Sequence, residues 1–151
     1  MSRSGASSQL GNAEYRALFD GLPVGVYRTT PDGRILMANP ALARMLGYNS
    51  PEELMRLNLE KESLGDEYSR AEFKKRMQRD GFLVGWETSW VRRDGSRIFV
   101  RDSARALRDD AGKILYYEGG VEDISDRKQA EEALKASEER LRILFEYAPD
   151  A

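Results

Sequence analysis

The sequence contains neither cysteine nor histidine. Without cysteine there is no disulfide, no thiolate nucleophile and no Cys-ligated metal. Without histidine the chain lacks the commonest general base, the usual metal ligand and the usual axial ligand of haem. It also has no excess of either charge, since 24 basic and 26 acidic residues give a net charge of −2. That balance argues against a nucleic-acid partner, which calls for a basic stripe. No apolar run approaches the roughly 18 residues needed to span a bilayer, so no membrane span is expected. The start, MSRSGASSQLGN, has no apolar h-region and is not a secretion signal. Residues 1–12 read as a Ser/Gly-rich flexible tail, native or from cloning.

What remains suits one domain. A chain of 151 residues buries enough surface for a single core without staples. With 40% hydrophobic and 33% charged residues, the class expected is soluble and globular, with a polar extension.

Local signals divide the chain. In NAEYRALFDGLP, Asn12 is placed to cap a short helix, and Tyr15, Leu18 and Phe19 form its apolar stripe. VGVYRTTPDGRILMANP reads as a hairpin turning at Pro31-Asp32-Gly33. Asn39 then caps a helix with Pro40 in its first turn, and Gly47 stops it. Ser50, Pro51 and Glu53 repeat the pattern as a capping box. Residues 66–80 read as a longer helix carrying Phe73 and Met77 on one face. Three strand-like runs follow, 82–93, 97–107 and 113–122, joined by turn-rich segments. This order predicts an α+β fold, one antiparallel sheet with helices on one face.

From 126 to 147 the pattern is helical. Ala130, Leu134, Ser137, Leu141 and Leu144 follow a 4-3-4-3 spacing, a weak coiled-coil seam. The rest of that helix is too polar for a core, so it is expected to project or to pair. EYRALFDGLPVG (14–25) also aligns with RLRILFEYAPDA (140–151), sharing Arg, Leu, Phe and Pro positions. The reading is a piece of a longer tandem protein, with chance similarity the alternative.

Three stretches, PDGRILMANPALARMLGY, WVRRDGSRIFVRDSARALRDDAGKILYYEGG and VEDISDRKQAEEAL, together resemble the PAS domains of bacterial signalling proteins such as sensor histidine kinases. The last is similar to that family's exit motif, with Asp123-Ile124-Ser125 where the family has Asp-Ile-Thr. The resemblance implies a five-stranded antiparallel sheet with helices over one face and a C-terminal signalling helix. It implies a cytoplasmic sensory and relay module, a homodimer, and an output domain further along the same chain, such as a histidine kinase or a cyclic-dinucleotide enzyme. A ligand-free dimerisation spacer is the alternative. The organisation expected is a tail over 1–12, a PAS sensor domain over 13–125, a coiled-coil linker helix over 126–147, and the start of a second PAS repeat over 140–151.

Candidate residues follow from parity and resemblance. Trp86, Thr88 and Trp90 alternate along one strand and share a face. They read either as core or, with Tyr27, Met37, Leu42, Met45 and Tyr117, as the wall of a ligand pocket. Asp102 shares the apolar face of Val100 and Ala104. It reads either as a structural pair with Arg28, Arg101 or backbone N–H groups, or as a polar ligand anchor. Glu118 raises the same question, but nothing positions a substrate between the two, and no catalytic or metal site is expected. Gly119-Gly120 inside a strand suggests close packing against the sheet. Asp123, Ile124 and Ser125 are expected to couple sheet to helix, with Ser125 or Asp126 capping the helix and Asp123 pairing with Arg92 or Arg93. Leu18, Phe19, Leu134, Leu141 and Leu144 are the expected dimer contacts. The missing cysteine excludes flavin–thiol adducts and the missing histidine excludes His-ligated haem. A non-covalent flavin or a small metabolite stays open.

Overall fold

Helix α1 (13–21) begins the chain in the computed structural model, which describes residues 13–65 and 69–147. The expected tail, the cap at Asn12 and the end of the internal repeat at Pro149 lie outside the described residues. Strands β1 (Gly25–Thr29) and β2 (Ile35–Ala38) form the hairpin. Helices α2 (Pro40–Leu46), α3 (Pro51–Leu54) and α4 (Arg70–Asp80) follow. Strands β3 (Phe82–Val91), β4 (Arg97–Arg108) and β5 (Ile114–Asp123) precede the long α5 (Ser125–Tyr147).

The sheet has the order β2-β1-β5-β4-β3, with antiparallel neighbours throughout. β2 and β3 therefore lie at opposite edges. The segment joining them must cross the sheet, and it does so as α2, α3 and α4. Leu42, Leu46, Leu54, Phe73 and Met77 from this layer bury against Trp90, Ile98, Val100 and Val121 of the sheet. Phe73 meets Tyr117 edge-on, with centroids 5.2 Å apart.

Caps set the helix boundaries. The side chains of Asn39, Ser50 and Ser69 accept N–H bonds from Leu42, Glu53 and Glu72. The longer helix thus starts at Arg70, after a serine cap. Glu53 reaches back to the N–H of Asn49, one residue before the cap, so the capping box is displaced from its expected form. Asn39 does more than cap. Its amide oxygen accepts from Val26 and Leu42, and its amide nitrogen donates to Phe19 and Val24 carbonyls. One buried side chain thereby fastens α1 and β1 to α2, with all four of its hydrogen bonds made.

Two irregularities change which side chains face the core. The pairing of β3 with β4 shifts between Leu83 and Trp86, at Gly85 with φ 66°. Leu83 and Trp86 then both stand opposite inward residues of β4, Ala104 and Asp102. A second shift between Arg28 and Thr29 leaves Ile35 and Ala38 buried on β2.

Candidate functional site

Between the sheet and the helical layer lies a cavity of about 40 Å³. Leu42, Leu54, Phe73 and Trp90 make its apolar wall, and Tyr27, Thr29, Arg70 and Asp102 bring polar atoms to it. Tyr27 and Thr29 reach it because alternation along β1 turns both inward. Asp102 reaches it from β4 by the same alternation, between Val100 and Ala104.

Asp102 is 1% exposed. The Tyr27 hydroxyl donates to its Oδ1 at 2.7 Å across 75 residues of sequence. Tyr27 belongs to β1 and Asp102 to β4, and β5 lies between them. The phenol therefore passes over β5, and it does so at Gly119, its register partner. A Cβ on Gly119 would sit 2.4 Å from the Tyr27 oxygen and 2.8 Å from the Ser103 carbonyl. The expected close approach at this glycine is the passage of Tyr27. Loss of hydration pushes the Asp102 carboxyl up to about 7, against the smaller downward pull of the Tyr27 hydroxyl and the Ser103 backbone N–H.

Of the residues expected in a ligand wall, Tyr27, Leu42, Trp90 and Asp102 line this cavity together. Met45 and Tyr117 are buried in the core but do not line it. Trp86 faces the same side, half-buried, with the Arg76 guanidinium 5.1 Å from its ring. Met37 is a correction. It pairs with Arg28 and joins Val26, Arg28 and Glu118 along the opposite face of the sheet. The pairing shift in the first hairpin reverses the parity on which its inward placement depended.

Of the expected partners of Asp102, a backbone N–H is present, that of Ser103, and the two arginines are corrected. Arg28 donates through Nε to Glu118 at 2.8 Å, and Arg101 lies beside Gly85. Both belong to the outer face. Glu118 sits there between Arg28 and Arg105, and β5 separates it from Asp102. Partial burial raises the Glu118 carboxyl, but the two guanidiniums prevail and hold it below its usual value. Two carboxylates on opposite faces of a sheet cannot share a substrate.

Thr29 and Arg70 were not singled out from the sequence. Parity with Tyr27 offered a signal for Thr29; Arg70 had none. Its guanidinium donates to Glu60 and to the Thr30 carbonyl, and lies 5.3 Å from the Phe73 ring centre.

At the far end of β5 one residue, Ile124, separates strand from helix. It is buried, and its N–H donates to the Phe99 carbonyl of β4 at 2.8 Å. The Ser125 hydroxyl accepts the Phe99 N–H at 3.1 Å, so Ser125 bonds β4 and is itself the first helical residue. Asp123 accepts the Ser125 N–H at 3.0 Å, which makes it the side chain that satisfies the helix start. Arg92 approaches Asp123 at 3.9 Å, whereas Arg93 pairs with Glu53. A further tie was missed in the sequence. Glu87 of β3 holds both Arg127 and Lys128 of the first helical turns, Lys128 at 3.2 Å. Beyond that turn, α5 buries no residue.

A five-stranded antiparallel sheet, crossed by helices on one face and leading into a projecting helix, defines an α+β domain class. The chain belongs to the PAS family: the family model, described as the PAS fold, matches residues 13–124. It is 29% identical to the sensor histidine kinase TmoS of Ectopseudomonas mendocina, over 85% of this chain and 13% of that protein. It is 30% identical to the C4-dicarboxylate transport sensor protein DctS of Rhodobacter capsulatus, over 83% of this chain and 20% of that one. The chain thus spans a fifth or less of these relatives. Among solved structures, an RNA-binding Light-Oxygen-Voltage receptor superposes with a TM-score of 0.68 at 21% identity, covering 87% of this chain and 38% of that one. A sensory box histidine kinase/response regulator from Burkholderia thailandensis gives 0.62 at 23% identity, covering 86% and 98%. These two structures share the fold. No helix among the described residues is long and apolar enough to cross a membrane.

Proposed function

We propose that this domain is a cytoplasmic sensory relay of a larger regulatory protein, without catalysis of its own. It takes its input at the sheet–helix cavity and delivers it through α5 to an output domain in the same chain. The observation that carries the reading is the joint at Ile124. A one-residue connection, bonded on both sides to Phe99, makes the direction of α5 depend on the packing of β4 and β5. The relatives named for sensing, each several times longer than this chain, support an output domain elsewhere in the protein.

In this reading residues 13–125 sense, 126–147 relay, and 140–151 begin a second repeat. Pairing of two chains along Leu134, Leu141 and Leu144, with Leu18 and Phe19 of α1, turns a tilt of α5 into a change of register or splay. The exposure of Leu18 and of the three α5 leucines supports this. Inserting Gly-Gly after Ile124 in the full-length protein tests the relay. The expected result is an output that no longer responds to the stimulus, in a protein that still folds. An unchanged response would sink the relay.

The cavity volume favours a second reading, a ligand-free dimerisation spacer. About 40 Å³ is far below the few hundred Å³ that a drug-sized ligand or a flavin occupies. Native mass spectrometry with a visible absorption scan separates the two. A colourless, empty chain supports the spacer, and a retained small molecule supports the sensor.

A further inference from the structure

Among the described residues, Arg70 alone lines both the buried cavity and the surface groove beside α4. Its side chain is 12% exposed. The groove beyond it takes in Glu60, Lys74 and Lys75, none of which reaches the cavity. The Arg70 side chain therefore stands between the cavity and solvent. On the cavity side lies Thr29, the neighbour of the Thr30 carbonyl that Arg70 bonds. The Thr29 hydroxyl is buried and has no hydrogen-bond partner among the described residues, so it offers a bond to a guest.

The bonds of Arg70 run from α4 to one fixed unit. Its Nη2 donates to the Thr30 carbonyl at 3.0 Å, and its Nε to Glu60 Oε1 at 3.2 Å. Thr30 leads into the β1–β2 turn, and the segment carrying Glu60 is docked on that turn. The Leu59 N–H donates to the Gly33 carbonyl at 2.9 Å. A Cβ on Gly33 would sit 2.6 Å from the Glu60 nitrogen, so the two segments touch closely. Arg70 thus straps α4 to the tip of the first hairpin. The catch is fixed and the strap is free to move. Displacing the leucines or strands of the other walls would open the core. A guanidinium that swings outward exchanges two protein hydrogen bonds for bonds to water, at small net cost. Glu60 keeps a partner when Arg70 leaves, because Lys74 donates to the same oxygen at 3.2 Å.

We propose that Arg70 is the gate of the cavity, latched by Glu60 and the Thr30 carbonyl, and that small uncharged molecules enter when it swings out. The proposal deepens the sensor reading and rests on it, since it names the route of the input and its class. The leucine walls favour an uncharged guest. The volume limits its size. A cavity of 40 Å³ holds about three non-hydrogen atoms, at roughly 10–15 Å³ for each water-sized group. Breaking the latch changes how fast a guest enters and leaves. It leaves the equilibrium occupancy unchanged, because Glu60 does not touch the guest.

The test is xenon-129 exchange spectroscopy on the 151-residue chain. Xenon is an uncharged probe whose exchange rate and occupancy are read separately. Shifts of the Leu42 and Leu54 methyl groups are expected to place it in the cavity. Glu60→Gln keeps the shape of the catch and removes its charge. It is expected to quicken exchange about fivefold, the worth of one ion pair, at unchanged occupancy. Arg70→Ala removes the strap and is expected to quicken exchange by about tenfold or more. Lys75→Gln alters the groove outside the latch and is expected to change neither quantity. Added potassium chloride is expected to quicken exchange in the parent and to leave Glu60→Gln unmoved. Equal rates in the parent and Glu60→Gln overturn the proposal, as does a change in occupancy without a change in rate. Quickening by Lys75→Gln as large as by Glu60→Gln marks a general loosening of α4 and also overturns it. So does absence of xenon from the cavity in every variant. The sensor reading survives any of these failures, because its own test is the molecule that the chain retains in native mass spectrometry.

Discussion

Asp102 shows how one residue ties stability to pH. Its carboxyl titrates near 7 in the folded chain, above its ordinary value of 3.8, because burial removes water from the ionised form. The folded state then holds a proton that the unfolded state has released. Stability from this group is fully present below the ordinary value, falls as pH rises, and is lost above about 7. Asp102→Asn does not titrate. Its stability relative to the parent, read from urea midpoints without ligand, is expected to grow by roughly 3 kcal/mol between about pH 5 and pH 8. A difference independent of pH would place the ionised carboxylate in contact with water. Gly119 offers a second measurement. Gly119→Ala forces a methyl into the path of Tyr27 and against the Ser103 carbonyl, a backbone atom of the neighbouring strand. A loss of about 2 kcal/mol or more in chemical denaturation is expected, typical of overpacking. The sequence pointed to close packing at this glycine. It could not name Tyr27, which arrives from another strand 92 positions earlier.

At the scale of elements, the joint between β5 and α5 combines a local motif with distant partners. The continuity of VEDISDRKQAEEAL was visible in the sequence, since a run without Gly or Pro passes from strand to helix. The bonds that hold it were not, because Phe99 and Glu87 lie on other strands. Ser125→Ala leaves the Phe99 N–H without its acceptor and is expected to cost about 1 kcal/mol. Glu87→Gln breaks exposed ion pairs and is expected to cost less than about 1 kcal/mol, a loss that shrinks as salt is added. Hydrogen exchange in the first turn of α5 is the shared readout, and it should quicken more in Ser125→Ala. The strands carry a similar lesson. Their existence followed from alternation and turns, but the parity of Met37 and Leu83 followed from pairing shifts in β1–β2 and β3–β4. A bulge is a property of two strands, and each strand alone shows only its own alternation.

For the whole molecule, the contrast is between a packed domain and a bare helix. The domain closes by pairing β1 with β5, segments from its two ends, and buries its apolar face under α2–α4. α5 has 23 residues and buries none of them, with Leu134 at 61% and Leu144 at 63% exposure. Helices in water draw most of their stability from packing of an apolar face. Association of two chains along that seam is therefore expected in sedimentation. Leu134→Lys with Leu141→Lys is expected to give a monomer whose domain melts at an unchanged temperature. A chain that stays monomeric at all concentrations, or a double variant that stays dimeric, would remove the seam from the relay.

What the sequence determined by itself was local. The caps at Asn39 and Ser50, the turn at Pro31-Asp32-Gly33 and the helical period of α5 rest on hydrogen bonds and periodicities within a few residues. The element order and the resemblance led from there to the PAS fold. The tertiary structure decided what depends on distant partners. It set the strand order, the passage of Tyr27 over Gly119, the arrival of Thr29 and Arg70 at the cavity, and the volume left between them. Depth of burial is a property of the packed whole. Only packing could turn Asp102, one of 26 acidic residues in the chain, into a carboxyl held from water without a counter-ion.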